Sequence, residues 1–292
     1  ILKAELGLFA QIRPVKVFDP YLSVSAIKPE ILKGTDLMIV REVSAGAIPA
    51  SERSSVSKDS ASSQLSYSEE QVFNVARIAL KIAEQRAGRI LNVDKADAMN
   101  VSAFWRSRLH AYFKETLGER TDILLTDMFV DDFCRELVLD PPSFDTIITS
   151  NLFGDILAEV ASGISGNLRL SPSAWFGTND IGVYGPGDLY NLSAYPRGSQ
   201  EMPMDKGQFA NPIATIRAAS MMLRYSLKEF AAADLIQNAL VRVMADNVTP
   251  EAAKYIKNKR VIDHEEFAEE MVSTFETMRT NFLVCDPEIC GD

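Results

Sequence analysis

Short runs of aliphatic and β-branched residues recur along the chain, and their length and composition predict buried strands. These runs occupy residues 15–18, 37–40, 90–93, 123–125 and 146–149. Between several of them, apolar residues repeat with a helical period, for example after the capping-type Ser68. Helices are predicted at residues 68–84, 100–116, 130–138, 155–163, 212–232, 232–245 and 264–282. Alternating strands and helices predict an α/β fold whose sheet is at least partly parallel.

Two segments lack these patterns. Residues 51–63 contain seven serines in thirteen positions, a composition that cannot bury a core and that predicts a mobile loop. Residues 177–210 are rich in Gly, Pro, Asn and Tyr and form a second irregular stretch. Loops of that length commonly cover a site or contact a partner, so this segment is expected to have a function.

The most informative stretch begins with the strand at residues 146–149. It leads into Asn151-Leu-Phe-Gly, predicted to be a turn, and then into a helix that begins with Asp155. Asp155 and Glu159 are four residues apart, so they share one helix face and could hold a hard cation such as Mg²⁺ or Mn²⁺. The alternative is that Asp155 complements the helix dipole and Glu159 is merely solvated. The spacing alone does not choose between these interpretations.

Composition narrows the function classes. The chain has 292 residues and a net charge of −10, and its acidic and basic residues are interleaved. A nucleic-acid surface is not expected, because no basic stripe is present to neutralise phosphates. Three cysteines form no disulfide framework, which favours an intracellular setting, cytoplasmic or mitochondrial. No apolar run reaches the length that spans a membrane, and no signal peptide is visible.

Several motifs together resemble the 3-isopropylmalate/isocitrate dehydrogenase family, the β-decarboxylating 2-hydroxyacid dehydrogenases. Their order and approximate spacing match from residue 1 to about residue 230. The motifs are Leu8-Phe-Ala-Gln-Ile-Arg-Pro14, Ile39-Val-Arg-Glu42, Val93-Asp-Lys-Ala96, Trp105-Arg106, Phe129-Val-Asp131, Asn151-Leu-Phe-Gly-Asp-Ile-Leu157, Leu170-Ser-Pro-Ser-Ala174, Ala210-Asn-Pro-Ile-Ala-Thr215 and Met221-Met-Leu-Arg-Tyr225.

The resemblance implies two α/β domains that share a mixed sheet, with the N-terminal βα portion of the family fold missing here. The large, cofactor-side domain would comprise residues 1–20 and 165–292, and the small, dimerisation domain residues 21–164. It also implies that Arg13, Arg41 and Lys3 bind the substrate carboxylates. Lys3 stands where the family has a third arginine, and it lacks the bidentate fork.

The same resemblance implies the catalytic and metal groups. Lys95 would act as a base toward the substrate hydroxyl, and Asp131, Asp155 and Glu159 would bind Mg²⁺ or Mn²⁺. In this family the lysine and the first of these aspartates come from the partner subunit, so an active site requires a homodimer. The implied reaction is the NAD-dependent oxidative decarboxylation of a small 2-hydroxy acid.

The sequence departs from the family pattern mainly on the cofactor side. Ile48 stands where the family has a catalytic tyrosine, and isoleucine has no proton to donate. The adenosine loop lacks its stacking histidine, and only Asp205 and Asn211 match its cofactor-binding residues. Asp97 replaces an asparagine that normally faces nicotinamide.

These departures leave three hypotheses open. The first is a metal- and NAD-dependent dehydrogenase with an unusual cofactor loop. The second is a repurposed lyase, isomerase or cyclase that uses the same scaffold without hydride transfer. The third is a non-catalytic subunit. The metal carboxylates are retained, which argues against the third hypothesis.

Overall fold

The computed structural model describes residues 5–47, 54–166, 170–178, 182–187 and 212–284. The chain forms two compact units. The first comprises Ile1–Val17, Ile27–Ser165 and Trp175–Val183, and the second comprises Phe18–Ala26, Gly166–Ala174 and Tyr184–Asp292. This division groups residues 1–17 with the first unit, whereas the predicted domains group residues 1–20 with the C-terminal part. The domain boundaries stay a prediction.

A seven-stranded mixed sheet organises the fold, with the strand order β6-β5-β7-β2-β1-β8-β9. Its strands are β1 (Ala10–Lys16), β2 (Asp36–Glu42), β5 (Arg89–Asp94), β6 (Leu124–Phe129), β7 (Thr146–Thr149), β8 (Pro172–Phe176) and β9 (Gly182–Pro186). Strands β6, β5, β7 and β2 run parallel, whereas β1 is antiparallel to β2. The α/β fold class with a partly parallel sheet is therefore confirmed.

The first strand differs most from its prediction. It was expected at residues 15–18, but β1 covers residues 10–16. Asp19 and Pro20 begin a 3₁₀ helix, which ends the extended backbone although Val17 and Phe18 are still apolar. Pro20 stands in the first turn of this helix, where its fixed φ suits the helical backbone and its missing N–H leaves no helical bond unmade.

The longer helices lie close to the predicted positions. The helices are α1 (Pro29–Leu32), α2 (Glu69–Ala83), α3 (Asn100–Leu117), α4 (Val130–Leu139), α5 (Asn151–Ile164), α6 (Pro212–Met222), α7 (Phe230–Asp246), α8 (Pro250–Ala253) and α9 (His264–Val284). The helix predicted at 212–232 is instead divided. A π-helical turn at Leu223–Leu227 follows α6, and the left-handed Lys228 separates it from α7.

The prediction of a turn at Asn151-Leu-Phe-Gly was wrong. These four residues form the first turn of α5, which begins at Asn151 and not at Asp155. Ser150 is extended and occupies the N-cap position, so the helix starts directly after the strand. A glycine within a helix costs only about 1 kcal/mol relative to alanine, which neighbouring contacts can offset.

The serine-rich segment was expected to be a mobile loop, and this was wrong for its described part. Residues 54–63 form a hairpin of β3 (Ser54–Val56) and β4 (Ala61–Ser63). The hydroxyls of Ser55 and Ser62 are 2.8 Å apart across the strands, and the Ser57 hydroxyl bonds to Ser60 in the turn. Local hydroxyl bonds thus order a segment that has no apolar core.

Each unit has its own core. In the first unit, α2 and α5 pack against β2 and β7. Helix α2 starts with a complete capping box between Ser68 and Gln71. In the second unit, residues of the 3₁₀ helix pack with α6, α7 and α9 around side chains such as Leu240 and Phe267. Within the described ranges, no helix is long and apolar enough to cross a membrane.

Candidate active site

The strand register places the two predicted arginines on one face of the sheet. Gln11 of β1 is opposite Arg41 of β2, and Arg13 is opposite Ile39. Opposed residues and residues two apart share a face, so Arg13, Gln11 and Arg41 point to the same side. Arg41 is also opposite Thr149 of β7, two residues before α5 begins. The sheet therefore positions both guanidinium groups beside the start of α5.

Arg41 is held by a neutral amide and by a carboxylate. Its Nε and Nη2 donate to the Asn151 side-chain oxygen at 3.1 and 2.6 Å. Its Nη1 donates to Gln11 at 3.4 Å and also to Asp155. Burial lowers the pKa of the Arg41 guanidinium, and Asp155 opposes this effect. The several donors of one planar group fix its orientation.

Gly154 makes this arrangement possible. A Cβ at position 154 would lie 2.6 Å from Cγ and 2.8 Å from Cβ of Arg41. Helix α5 can therefore approach β2 this closely only because residue 154 has no side chain. The sequence interpretation assigned this glycine to a turn and missed its role in packing.

Arg13 completes what we call the arginine cluster, made up of Gln11, Arg13, Arg41, Asn151, Asp155 and Glu159. The Nη2 atom of Arg13 is 3.3 Å from a carboxylate oxygen of Glu159. The side chains of Asp155 and Glu159 are each 54% exposed, whereas those of Arg13 and Arg41 are 7% and 10% exposed. Buried cations thus face two half-exposed carboxylates that are one helical turn apart.

Lys95 lies in a second group, here called the lysine cluster, with Asp97 and Asp131. Its Nζ is 2.8 Å from Asp131 and 3.0 Å from Asp97. It also lies 5.1 Å from the centre of the Phe129 ring. The hydrogen bonds that Lys95 donates to Asp131 and then to Asp97 raise the pKa of Lys95, and the first of them also lowers the pKa of Asp131. Asp97 therefore favours the cationic form of the lysine.

A buried polar network supports the backbone around Lys95. Asp94 is buried and accepts two hydrogen bonds from Arg106, at 2.8 and 2.7 Å, and one from the Ala96 N–H at 2.9 Å. Asn92 donates to Asp94 at 2.6 Å and accepts from the indole N–H of Trp105 at 2.9 Å. These bonds satisfy groups that would be costly to bury alone.

Comparison with known proteins identifies the family. The profile described as isocitrate/isopropylmalate dehydrogenase matches residues 1–271. The 3-isopropylmalate dehydrogenase of Sulfurimonas denitrificans is 39% identical over 254 residues, which cover 87% of this chain and 67% of that relative. The chain belongs to the isocitrate/isopropylmalate dehydrogenase family.

Other members agree in sequence and in fold. The 3-isopropylmalate dehydrogenase of Thermosynechococcus vestitus is 36% identical over 247 residues, covering 83% of this chain and 64% of that relative. The crystal structure of isocitrate dehydrogenase from Methylococcus capsulatus superposes with a TM-score of 0.70 at 28% identity, covering 91% of this chain and 73% of that chain. The chain thus spans about two thirds of the length of the curated relatives it matches.

The dehydrogenase family implies a divalent metal, and the chemistry of α5 fits one in part. Asp155 and Glu159 supply hard oxygen ligands on one helix face, as Mg²⁺ and Mn²⁺ prefer. Among the described residues, however, no group of three or more His, Cys, Asp or Glu side chains is close enough to hold a metal ion. Two carboxylates are nevertheless a usual protein contribution to a Mg²⁺ site, whose other ligands are waters and substrate oxygens.

Four family-derived residues lie outside the described residues. They are Lys3, Ile48, Asp205 and Asn211. The roles assigned to them stay predictions.

Two residues of the site had no predicted role. Gln11 and Asn151 both accept hydrogen bonds from Arg41 and so orient it. Asn151 could have been found because a polar residue at a helix start after a buried strand is a frequent site position.

Proposed function

We propose that the protein is a dehydrogenase of a small 2-hydroxy carboxylic acid of the 3-isopropylmalate type. The arginine cluster carries this proposal, because two buried guanidinium groups lie beside two half-exposed carboxylates. Guanidinium groups bind carboxylates bidentately, and paired carboxylates bind hard divalent cations. A metal-chelated hydroxy acid needs both kinds of group next to each other.

Within this proposal, each residue has a defined task. Arg13 and Arg41, together with Lys3, bind the carboxylates of the acid. Asp155 and Glu159 would hold Mg²⁺ or Mn²⁺, which when bound polarises the substrate hydroxyl and carboxylate. To do so they exchange their present arginine partners for the metal, and the substrate carboxylates take their place on the arginines. The positive charge of the guanidinium groups stays compensated throughout.

The lysine cluster supplies the remaining groups. Once its bonds to Asp131 and Asp97 loosen, Lys95 gives one proton to solvent, and the neutral amine then takes up the hydroxyl proton of the acid. Asp131 is then free to become a metal ligand. We propose that these two residues serve the arginine cluster of a second copy of the chain, so the enzyme is a homodimer. NAD as hydride acceptor is inferred from the family, with Asp205 and Asn211 as its proposed contacts.

The test is an assay of the full chain with Mg²⁺, NAD⁺ and a panel of 2-hydroxy acids that includes 3-isopropylmalate. We expect NADH to form and expect both Asp155→Asn and Glu159→Gln to abolish it. Glu269→Gln on the exposed face of α9 is the matched control and should retain full activity. If the wild-type chain produces no NADH with any acid and calorimetry shows no Mg²⁺ binding, the proposal is wrong.

A further inference from the structure

Tyr67 has no role in the function described so far, yet its hydroxyl lies against the arginine cluster. It accepts a hydrogen bond from the backbone N–H of Asn151 at 2.9 Å. The first N–H groups of a helix have no partner within the helix, so this bond satisfies an otherwise open donor of α5. A Cβ at Gly46 would lie 2.4 Å from the Tyr67 hydroxyl oxygen. The missing side chain at position 46 thus leaves room for this hydroxyl.

Asn151 is hydrogen-bonded to both Tyr67 and Arg41. Its side-chain oxygen accepts from two nitrogens of Arg41, and its side-chain amide donates to the carbonyl of Ala45 at 2.6 Å. Asn151 is therefore fixed on its backbone by Tyr67 and on its side chain by Ala45. Both bonds thus bear on the side chain that accepts from the Arg41 guanidinium.

The ring of Tyr67 also contacts the support of the lysine cluster. It meets Trp105 edge-on, with ring centroids 5.1 Å apart. The Trp105 indole donates to Asn92, and Asn92 donates to Asp94, which precedes Lys95 in the chain. One side chain is thus in direct contact with the residues that orient Arg41 and with those that hold the strand end before Lys95.

We propose that Tyr67 is a positioning residue that orients Arg41 for carboxylate binding. Its ring packs against Trp105, and this contact holds the Tyr67 side chain in place. This inference rests on the proposed function, in which Arg41 binds a substrate carboxylate. The hydroxyl fixes Asn151, and Asn151 fixes the guanidinium. A misplacement of about 1 Å in a binding group can cost up to ~10²-fold in rate.

The test replaces only the hydroxyl. Tyr67→Phe keeps the ring contact with Trp105, and Tyr112→Phe on α3 is the matched control, because Tyr112 is also a partly buried tyrosine in ring contacts. We expect Tyr67→Phe to raise KM for the 2-hydroxy acid about tenfold with a much smaller change in kcat. The control should change neither, and the two variants should melt at similar temperatures.

A second measurement separates this inference from the proposed function. The Nε–H resonance of Arg41, observed in an isotope-labelled sample, should shift in Tyr67→Phe and stay in place in Tyr112→Phe. If the resonance shifts but the wild-type chain oxidises no acid, the proposed function fails and the link from Tyr67 to Arg41 stands. If the resonance stays in place, or if KM changes no more than in the control, the positioning role is wrong.

If Tyr67→Phe does not fold, amide hydrogen exchange of the wild-type protein still tests the inference. The Asn151 amide is the first of α5 and should nevertheless exchange slowly, because the Tyr67 hydroxyl accepts its proton. Rapid exchange of this amide would overturn the inference without any variant.

Discussion

The arginine cluster and the lysine cluster both combine cations with carboxylates, but they differ in burial and in what orients the cation. Arg41 is 10% exposed and is oriented mainly by the neutral amide of Asn151. Lys95 is 25% exposed and is held by two carboxylates, of which Asp131 is 63% exposed. The first is a preformed site on the sheet, and the second is a set of surface ion pairs on flexible side chains.

This difference shows which groups are ready to bind and which must rearrange. Two neutral amides keep the Arg41 guanidinium oriented when Asp155 turns from it to a metal, so the group loses little entropy on binding a ligand. A lysine neutralised by two carboxylates must first release them, and exposed pairs of this kind contribute little to stability. The arginine cluster therefore is expected to determine affinity, and the lysine cluster to respond to its surroundings.

Exchanging the type of cation gives the largest expected effect. Arg41→Lys keeps the charge but cannot bond Asn151, Gln11 and Asp155 together. Loss of charge-assisted hydrogen bonds is worth about 1.5–3 kcal/mol, so affinity for the acid should fall roughly 10–100-fold. Lys95→Arg, the matched change in the lysine cluster, should affect affinity far less. Calorimetric titration of both variants with 3-isopropylmalate checks this, and equal losses would contradict the comparison.

The packing under Arg41 provides the second test. Gly154→Ala would place a methyl group 2.6 Å from Arg41 Cγ, and overpacking of this kind costs about 1–3 kcal/mol. The gain in helix propensity from alanine, about 1 kcal/mol, offsets part of this cost. We expect a net loss of up to about 2 kcal/mol in the free energy of unfolding, measured by denaturant titration.

The control lies on the same helix. A Cβ at Gly163 meets nothing within 4 Å, so Gly163→Ala should be neutral or stabilise by up to about 1 kcal/mol. If both alanine variants behave alike, the close approach of α5 to β2 does not exist in solution, and the preformed character of the arginine cluster is lost with it.

The elements of this site were largely predictable, because local patterns specify them. The strand at residues 146–149 was placed correctly, and the carboxylates of Asp155 and Glu159 do share one helix face. The family resemblance, which the comparisons confirm, directed attention to Arg13 and Arg41. These predictions needed only periodicity, spacing and motif order.

The contacts within the site were not predictable, because they depend on register and on close packing. Gln11 is thirty positions from its partner Arg41, and only the antiparallel pairing of β1 with β2 brings them opposite each other. The helical start at Asn151 was missed because glycine and asparagine favour turns in isolation, whereas packing on β2 selects the helix here. The hairpin at residues 54–63 was missed because hydroxyl bonds leave no hydrophobic pattern.

Asp36 lies at the opposite end of β2 from Arg41 and forms ion pairs with Arg86 and Lys16. These pairs should make the stability depend on pH, with an effect smaller than that of Gly154→Ala and larger than that of changes in the lysine cluster. Burial alone would raise the pKa of Asp36, but Arg86 and Lys16 outweigh it and lower the pKa below its usual range. The folded state therefore binds protons less readily than the unfolded state. The stabilising contribution of Asp36 is complete above about pH 5 and is lost as the pH falls through about 4 and below.

The variant Asp36→Asn tests the direction of this pH dependence. The side chain is 40% exposed, so after solvent screening its contribution is no more than about 1 kcal/mol. We expect the wild-type protein to lose more unfolding free energy than Asp36→Asn between neutral and acidic pH. Glu276→Gln on the exposed face of α9 should follow the wild-type curve. A parallel acid dependence of Asp36→Asn and wild type would show that these ion pairs do not stabilise the fold.

Changes in the lysine cluster should have the smallest effect on stability. A small effect is expected because the ion pairs of this cluster are exposed, unlike those of the arginine cluster. Lys95→Met removes the ion pairs with Asp97 and Asp131, yet the melting temperature should stay almost unchanged, because exposed pairs are screened and cost side-chain entropy. In wild type, high salt should likewise leave the melting temperature nearly constant while it weakens these pairs, since the Debye length falls to about 3 Å at 1 M. Melting curves at low and high salt measure both. A marked loss of stability in Lys95→Met would mean that the lysine cluster is itself part of the rigid framework, and that its carboxylates are not free to turn toward a metal.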